Sequence, residues 1–424
     1  MDVTLAYGKT GLTVTLPDEA DVTIVEPTYQ PGLPDPALAM ARTLHEPIGS
    51  PPLRDLIARD DQVGIAFSDI TRPTPNHLLL PVLLDHLTHV PDEQISLFNG
   101  TGTHRVNTEG ELRTMLGAPV ADRYRIVQND ARDRSTHILV GTTSMGNDVW
   151  LNRAFVECDV RILTGFIEPH FFAGFSGGGK AVMPGLAHLD TVLQNHNAAH
   201  MDSPRARWGI RQGNPLWEEI REAAAMASPT FLLNVTLNRD HEITGIFAGH
   251  WEEAHAAGCA FVKDTAMIRL DHPFDIVITS NSGYPLDLNL YQSVKGMSAA
   301  AQIVRHGGSI ILVADCWDGI PEHGDYGQLL REAESLDDLL ETVRDPSFAR
   351  QDSWQVHTQA LVTQKADVYV HSRNLSGEQI RGAHLIPCPS IERTVRDLLK
   401  RYGPQATICV LPEGPQTIPY IAAP

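Results

Sequence analysis

The amino-acid sequence predicts an α/β protein of two domains, each built on a parallel or mixed sheet. Three observations support this class. Short apolar runs alternate with helical patterns along the whole chain, which is typical of parallel strands connected by helices. A new strand–helix–strand pattern starts at Asp275, after a helical segment rich in Ala and Glu. The 424 residues, 42% of them hydrophobic, can bury the cores of two or three ordinary domains.

The N-terminal half is predicted to contain two hairpins and several strands that end in polar loops. Residues 3–7 and 12–16 flank Gly8-Lys9-Thr10-Gly11, which predicts a hairpin. The apolar run 62–67 predicts a buried strand, and 75–89 predicts a helix, because Pro75 is tolerated in a first turn. Further strands are predicted at 95–98 and 159–167, and a second hairpin at 231–237 and 243–248.

The C-terminal half follows a helix that is predicted from Trp251 to about residue 271. A strand at 275–278, a helix at 290–304 and a strand at 309–314 come next, with Gly307-Gly308 expected to end the helix. We therefore place a domain boundary near residue 270. It separates an N-terminal α/β domain (1–270) from a Rossmann-like C-terminal α/β domain (271–424). The active site is expected in the cleft between the two domains.

Composition excludes several classes of partner. The formal net charge of −19 and the pI of about 5.4 argue against binding to nucleic acid or to an acidic membrane. The polar N-terminus lacks the apolar core of a signal peptide, and no apolar run approaches membrane-spanning length. The five cysteines are scattered without a CxxC pair, so we expect buried thiols rather than disulfides or a zinc ribbon. These features predict a cytoplasmic protein.

The stretch 165–185 contains a lysine at the spacing of a phosphate-binding loop, with four residues between Gly174 and Gly179-Lys180. That pattern next requires Ser or Thr to hold magnesium, and Ala181 stands there. The preceding predicted strand ends well before the first glycine, and Pro184 would break the helix that must follow the lysine. Nucleotide hydrolysis is therefore not favoured. Lys180 is either a covalent anchor or nucleophile on a glycine loop, or a solvated surface lysine.

Two further polar stretches follow predicted strands. Asp69 and Arg72 offer a hydrogen-bond acceptor and a carboxylate clamp at a strand end, where ligand sites of α/β sheets lie. The same residues could simply form a helix-capping turn. His104 follows the next strand after two glycines and could do acid–base work near neutral pH, or could be an ordinary loop histidine.

Two other stretches have helical spacing. His196 and His200 lie four residues apart, on one face if the segment is helical, and an imidazole there could bind a metal. This HxxxH pattern is weak, because no glutamate follows the first histidine as in zinc proteases. Gln292 and Lys295, three apart on a predicted helix, share a face that could also be merely solvated.

Considered together, these stretches resemble lactate racemase and its homologues, the family that uses a nickel-pincer nucleotide. The resemblance spans the chain from residue 69 to at least residue 295 and is expected to extend into the rest of the C-terminal domain. The matching residue types occur in the same order and at similar intervals: Asp69, Arg72, His104, His170, Lys180, His196, Gln292 and Lys295.

The resemblance implies a cofactor, pyridinium-3-thioamide-5-thiocarboxylic acid mononucleotide, which holds Ni(II) through sulfur, carbon and sulfur. Lys180 matches the lysine that tethers this nucleotide through a thioamide, and His196 matches the histidine at the fourth nickel position. Imidazole and soft sulfur in a square-planar arrangement suit Ni(II). The residues expected to contact the cofactor are Asp69, Thr71, Gly174, Ser176 and His188.

The resemblance also implies the reaction, inversion of C2 of a lactate-like 2-hydroxy acid through a 2-keto acid. His104 and His170 match the acid–base pair. Removing C2–H as hydride avoids placing a second negative charge beside the carboxylate, and return to the opposite face inverts the centre. The expected partners are this small acid and the cofactor-assembly enzymes. Residues expected to orient the substrate are Arg72, Tyr291, Gln292 and Lys295, while the roles of His200 and Trp354 stay open.

Two other function classes remain as alternatives. One is a non-catalytic protein that binds a nucleotide or an anion, against which the histidines at both acid–base positions argue. The other is a zinc-dependent hydrolase or lyase that uses the histidines as ligands. That alternative would leave Lys180 without a role.

Overall fold

A computed structural model describes residues 1–322, 324–345 and 347–421. The chain divides into two compact units. We call Tyr29–His196 with Ser203–Lys263 the N-terminal unit, and Met1–Thr28, Asn197–Asp202 and Asp264–Pro424 the C-terminal unit. The first residues join the C-terminal unit because the strand Asp21–Ile24 pairs with a strand near the end of the chain.

The strands of the described residues are, in chain order, β1 (Asp2–Leu5), β2 (Leu12–Thr15), β3 (Asp21–Ile24), β4 (Val63–Ser68), β5 (Ile95–Gly100), β6 (Arg125–Gln128), β7 (His137–Thr142), β8 (Asp148–Asn152), β9 (Val160–Phe166), β10 (Pro169–His170), β11 (Gly174–Phe175), β12 (Phe231–Leu237), β13 (Ile243–Gly249), β14 (Met267–Leu270), β15 (Phe274–Ser280), β16 (Val304–Val313), β17 (Ala366–His371), β18 (Ile386–Pro387), β19 (Thr407–Leu411) and β20 (Ile418–Ile421).

The α-helices of the same residues are α1 (Pro36–His45), α2 (Asn76–Asp85), α3 (Glu109–Leu116), α4 (Ala118–Ala121), α5 (Arg153–Val156), α6 (Leu189–Asn195), α7 (Ala198–Met201), α8 (Pro215–Met226), α9 (Trp251–Ala266), α10 (Leu290–Ala301), α11 (Tyr326–Glu332), α12 (Leu336–Arg344), α13 (Ser353–Lys365), α14 (Gly377–Gly382) and α15 (Ile391–Tyr402).

The N-terminal unit is built on a six-stranded mixed sheet in the order β13-β12-β9-β4-β5-β6. Only β12 and β13 pair antiparallel, and the other neighbours are parallel. β4 and β9 are buried along almost their whole length, as expected for central strands covered on both faces. Because β9, β4 and β5 run parallel, their carboxyl ends lie at the same edge of the sheet.

The C-terminal unit is built on a six-stranded parallel sheet in the order β18-β17-β16-β15-β19-β3. Its two faces are covered by different apolar clusters. Val277 and Leu312 belong to a cluster with residues of α10 and α13, whereas Ile276 and Ile311 pack with the β1–β2 hairpin and α15. This alternation follows the two-residue period of a strand and explains why both strands are almost entirely apolar.

The predicted α/β class with parallel and mixed sheets is confirmed, and so are both hairpins, which form as β1–β2 and β12–β13. All five cysteines are buried and free, as predicted. Within residues 1–322, 324–345 and 347–421, no helix is both long and apolar enough to cross a membrane.

Three predicted helix ends are wrong. The helix predicted at 75–89 ends at Asp85, and the helix predicted to continue to about residue 271 ends at Ala266, where β14 begins and pairs with β20. The helix predicted at 290–304 ends at Ala301. The two glycines expected to end it lie inside β16, where the pairing with β15 skips from Val304 to Ser309. Long-range strand pairing accounts for the last two of these ends, and the local sequence pattern does not reveal that pairing.

Candidate active site

Three neighbouring parallel strands of the N-terminal unit deliver the predicted polar residues to one sheet edge. β4 leads directly into Asp69, β5 into the loop of His104, and β9 into the stretch that carries Lys180. The last two loops are joined, because the Gly102 N–H donates to the Gly185 carbonyl at 3.0 Å. Parallel pairing thus gathers residues that are up to about a hundred positions apart in sequence.

Asp69 and His104 form a hydrogen-bonded pair. The buried Asp69 carboxylate accepts a hydrogen bond from His104 Nδ1 at 2.9 Å and another from the Thr71 hydroxyl at 2.9 Å. Since Nδ1 donates to the carboxylate, Nε2 of the exposed imidazole is the ring atom that can accept a proton. The pair has the geometry of a base oriented by a carboxylate.

The charge of Asp69 is fixed by its neighbours. Burial by itself would raise the pKa of Asp69, but the hydrogen bond and charge of His104, the Arg72 guanidinium and the Thr71 hydroxyl outweigh it and hold the pKa below its ordinary value. Arg72 also closes the turn by donating its backbone N–H to the Asp69 carbonyl at 3.1 Å. Residues 69–72 therefore form a turn, but not a helix-capping one, because α2 begins at Asn76 without a side-chain cap. The side chains of Asp69 and Thr71 contact His104.

Replacing Asp69 by asparagine is expected to lower the free energy of unfolding by about 1.5–3 kcal/mol at neutral pH, because a hydrogen bond to a charged group is lost. The folded-state pKa of Asp69 is depressed. The stabilisation by ionised Asp69 is therefore present above the unfolded-state pKa of about 3.9, and it is lost as the pH falls below that value. Denaturant unfolding of wild type and Asp69→Asn from pH 7 to pH 2.5 should converge at the acid end. A difference that stays constant with pH would contradict this assignment.

The glycine stretch after β9 forms a short hairpin and a single 3₁₀ turn. β10 and β11 pair antiparallel, and Gly178–Ala181 form the turn that contains Lys180. No α-helix starts directly after the lysine, since α6 begins only at Leu189, so this stretch lacks the element that a phosphate-binding loop requires. Ser176 uses its hydroxyl inside the loop, where it donates to the Phe166 carbonyl at 3.0 Å and accepts from the Glu168 N–H at 2.9 Å.

Gly174 is required for close packing against the segment that follows α7. It has a φ of +80°, and a Cβ there would lie 2.1 Å from the Ile210 carbonyl oxygen. Gly146 has a similar φ of +87° with open space around it.

Gly146→Ala should therefore cost only the left-handed backbone strain of about 1–2 kcal/mol, whereas Gly174→Ala should cost roughly 3 kcal/mol or more in the free energy of unfolding. Parallel denaturant titrations of the two variants check this difference. Equal losses would mean that the Ile210 backbone yields without cost.

Lys180, His170 and His196 surround the buried ring of Phe172. The Lys180 Nζ lies 5.8 Å from the centre of that ring and 3.5 Å from His170 Nε2. The rings of His170 and His196 approach Phe172 edge-to-face, with centroids 4.6 Å and 5.1 Å away. Sequence reasoning missed Phe172, although its place two residues after His170 was a usable signal.

The ring nitrogens of the two histidines have different surroundings. His196 Nδ1 lies 3.1 Å from the Val192 carbonyl and can only donate to it, so Nε2 is the atom that would bind a metal. His170 Nδ1 instead accepts the Ala173 N–H at 3.3 Å, so in the neutral ring Nε2 carries the hydrogen. His196 therefore suits a metal ligand through Nε2, and His170 Nε2 is the ring nitrogen that faces the Lys180 amine.

His188 lies at the start of α6, and His200 lies on α7. His188 caps α6 by accepting the Asp190 N–H at 3.2 Å, and burial lowers its pKa. The helical spacing proposed for His196 and His200 is not realised, because α6 ends at Asn195 and Asn197 caps a new helix, α7. His200 belongs to the segment that is part of the C-terminal unit.

The remaining predicted residues lie on α10 of the C-terminal unit. Asn289 caps this helix by accepting the Gln292 N–H at 3.0 Å. Tyr291, Gln292 and Lys295 are half-buried. The Tyr291 hydroxyl donates to Asp352 at 3.4 Å, and the side chain of Gln355 donates to the Tyr291 carbonyl.

No group of three or more His, Cys, Asp or Glu side chains is arranged to hold a metal ion within the part of the chain that the structure describes.

The fold and site define a two-unit α/β protein with a lysine, two histidines and an aspartate-bound histidine at one sheet edge. Residues 7–209 match the family model of the lactate racemase N-terminal domain, and residues 270–418 match that of the lactate racemase C-terminal domain. The chain belongs to the lactate racemase family.

Individual relatives agree over nearly the full length. The lactate racemase of Thermoanaerobacterium thermosaccharolyticum is 34% identical, with 98% of this chain and 99% of that protein covered. The lactate racemase of Lactiplantibacillus plantarum is 35% identical, with 97% and 98% covered. The structure of the Thermoanaerobacterium thermosaccharolyticum lactate racemase apoprotein superposes with a TM-score of 0.92 at 33% identity and covers 99% of this chain and 100% of its own.

Proposed function

We propose that this isomerase racemises a small 2-hydroxy acid of the lactate type, using a nickel-pincer nucleotide joined to Lys180. The observation that carries the proposal is the grouping of Lys180, His170 and His196 around Phe172. Family membership supports racemisation of lactate. The grouping of side chains supports the proposal that a nickel-pincer nucleotide is joined to Lys180.

The described residues fit the implied cofactor. Lys180 is half-buried in its turn and its Nζ lies 3.5 Å from His170 Nε2, so its amine is beside the histidine side chains of the site. Formation of a thioamide would join Nζ to the thiocarboxyl carbon, break the C–O bond and release water, with no change of oxidation state. His196 Nε2 would bind the nickel, since its Nδ1 is held by the Val192 carbonyl. When bound, the nickel-pincer nucleotide would accept a hydride from C2 of the substrate and return it.

The protein residues would handle the hydroxyl proton. His104 Nε2 would accept it, because Asp69 holds Nδ1 and stabilises the imidazolium that results. In the opposite direction His170 would exchange the hydroxyl proton through Nε2, the ring nitrogen that faces Lys180. A substrate carbon that is attacked from two faces needs two such groups, which supports a role for both histidines.

Positive charge would orient the substrate. We propose that Arg72 binds the substrate carboxylate. On the family resemblance, Gln292 and Lys295 on α10 are likewise proposed as substrate-binding residues. A guanidinium pairs with a carboxylate through two parallel hydrogen bonds, so Arg72 would fix its orientation. Tyr291 is also proposed as a substrate contact, and a lactate-like acid is the simplest substrate.

Racemisation in D₂O tests the proposed reaction. Protein produced together with the cofactor-assembly enzymes is given one enantiomer of lactate, and the product is analysed by chiral chromatography with mass spectrometry. If hydrogen moves as hydride, the product enantiomer should keep protium at C2. Deuterium at C2 would instead indicate proton abstraction and would contradict the hydride route. Absence of product from a loaded enzyme, with malate-like, aromatic and sugar acids also tried, would contradict the substrate class.

A further inference from the structure

The turn that carries Lys180 is held by two buried side chains from other elements. The Gly178 N–H donates to Asn234 Oδ1, on β12, at 2.8 Å. His255, on α9, donates its Nε2–H to the Ser176 carbonyl at 2.9 Å. Asn234 is 1% exposed and His255 is 2% exposed. Both bonds fall within four residues of the lysine, and nothing in the proposed reaction requires either side chain.

His255 is itself fixed on its other sides. Its ring stacks on Trp217 with centroids 5.0 Å apart and an interplanar angle of 16°, and the Cys259 Sγ lies 3.6 Å from Nδ1. Burial lowers the pKa of His255 to about 4, so the ring is neutral near pH 7. A carbonyl can only accept, so the one N–H of the neutral ring is committed to Ser176.

The backbone of the turn touches these side chains directly. A Cβ on Gly178 would lie 2.6 Å from His255 Cγ, and a Cβ on Gly177 would lie 2.6 Å from Asn234 Oδ1. The two glycines have φ values of +57° and +75°. Glycine allows many other conformations at little cost, so the observed one needs external contacts to be held.

We propose that His255 and Asn234 are positioning residues that hold the Ser176–Gly178 backbone so that Lys180 is presented for attachment of the nucleotide. This inference rests on the proposed function of Lys180. Without the two contacts the lysine would remain in the chain, but its amine would spend most of its time away from the attachment geometry. A misplacement of about 1 Å can cost on the order of a hundredfold in the rate of a positioned reaction.

The test compares four variants. His255→Phe keeps a ring on Trp217 and loses the donor to Ser176, whereas His255→Gln restores an N–H donor at a similar distance along the side chain. Asn234→Ala removes the second contact independently. Thr236→Val is the matched control. Thr236 lies on the same strand as Asn234, and the variant breaks its partly buried 2.8 Å hydrogen bond to Thr244 on β13 without touching the turn.

Two measurements are made on each variant. Hydrogen exchange of the peptide that contains residues 174–185 is followed in protein without cofactor. The fraction of chains with an added nucleotide mass is then measured after a limited time of loading. We expect His255→Phe and Asn234→Ala to exchange about tenfold faster and to load at least about fivefold less than wild type. His255→Gln should recover to within about twofold, and Thr236→Val should match wild type.

The outcomes separate this inference from the proposed function. If His255→Phe and Asn234→Ala exchange and load like wild type, the positioning role is overturned. If Thr236→Val is impaired as much as His255→Phe and Asn234→Ala, the loss reflects general destabilisation. The positioning role is then also overturned. If wild type takes up no nucleotide while a lactate racemase loads under the same conditions, the proposed function fails. The exchange rates then still decide whether the two side chains hold the turn.

Discussion

Lys180→Arg is expected to abolish covalently bound nucleotide and to lower racemisation by at least about a thousandfold. Arginine keeps the positive charge and much of the length of the side chain, but its guanidinium does not form the thioamide that an amine forms. The turn should keep its conformation, because the backbone bonds and the contacts of Asn234 and His255 do not involve the lysine side chain. Intact-protein mass, nickel content and racemisation of one lactate enantiomer are measured on protein loaded by the assembly enzymes.

The chain offers a clean control for this variant. It contains only six lysines, and Lys263 is exposed on α9 of the same unit. Lys263→Arg should load and racemise like wild type, and peptide mapping of the wild-type adduct should find Lys180 alone modified. Retention of the added mass in Lys180→Arg would show that another residue carries the nucleotide. Loss of nickel with retention of the nucleotide would separate tethering from metal binding.

The sequence predicted which loops meet at one edge of the sheet better than it predicted the side-chain contacts between those loops. Asp69, His104 and the glycine stretch each follow an apolar run, and parallel strands place such loops side by side, so their convergence followed from the pattern. The hydrogen bond between Asp69 and His104 could not be predicted from the sequence pattern. The side-chain geometry of two loops 35 residues apart depends on the register of β4 against β5 and on the turn at Arg72.

Other features could not be predicted because they depend on distant segments. The end of α9 at Ala266 is set by the pairing of β14 with β20, whose residues lie about 150 positions later. The sequence around Asn234 is typical of a strand, and the sequence around His255 is typical of a helix. Neither segment indicates a contact with the turn that carries Lys180. The helical face proposed for His196 and His200 failed for a local reason, because the Asn197 side chain begins a new helix by accepting the His200 N–H at 2.9 Å.

His104→Asn and His170→Asn are each expected to lower racemisation by about a hundredfold to ten-thousandfold in both directions. Racemisation requires one group to take the hydroxyl proton and the other to return it, so loss of either interrupts the cycle. Asparagine preserves approximate size and hydrogen bonding without titrating near neutral pH. Thermal unfolding should show that both variants are folded, and the added mass should show that both are loaded.

The two variants should differ in the half-reaction that each retains. With enzyme in excess over substrate, each should still form 2-keto acid from one lactate enantiomer, and the two variants should prefer opposite enantiomers. Trapping of the keto acid with a hydrazine, followed by chromatography, measures this. The double variant should form none from either enantiomer. If both single variants oxidised the same enantiomer, the assignment of one histidine to each face of the substrate would be wrong.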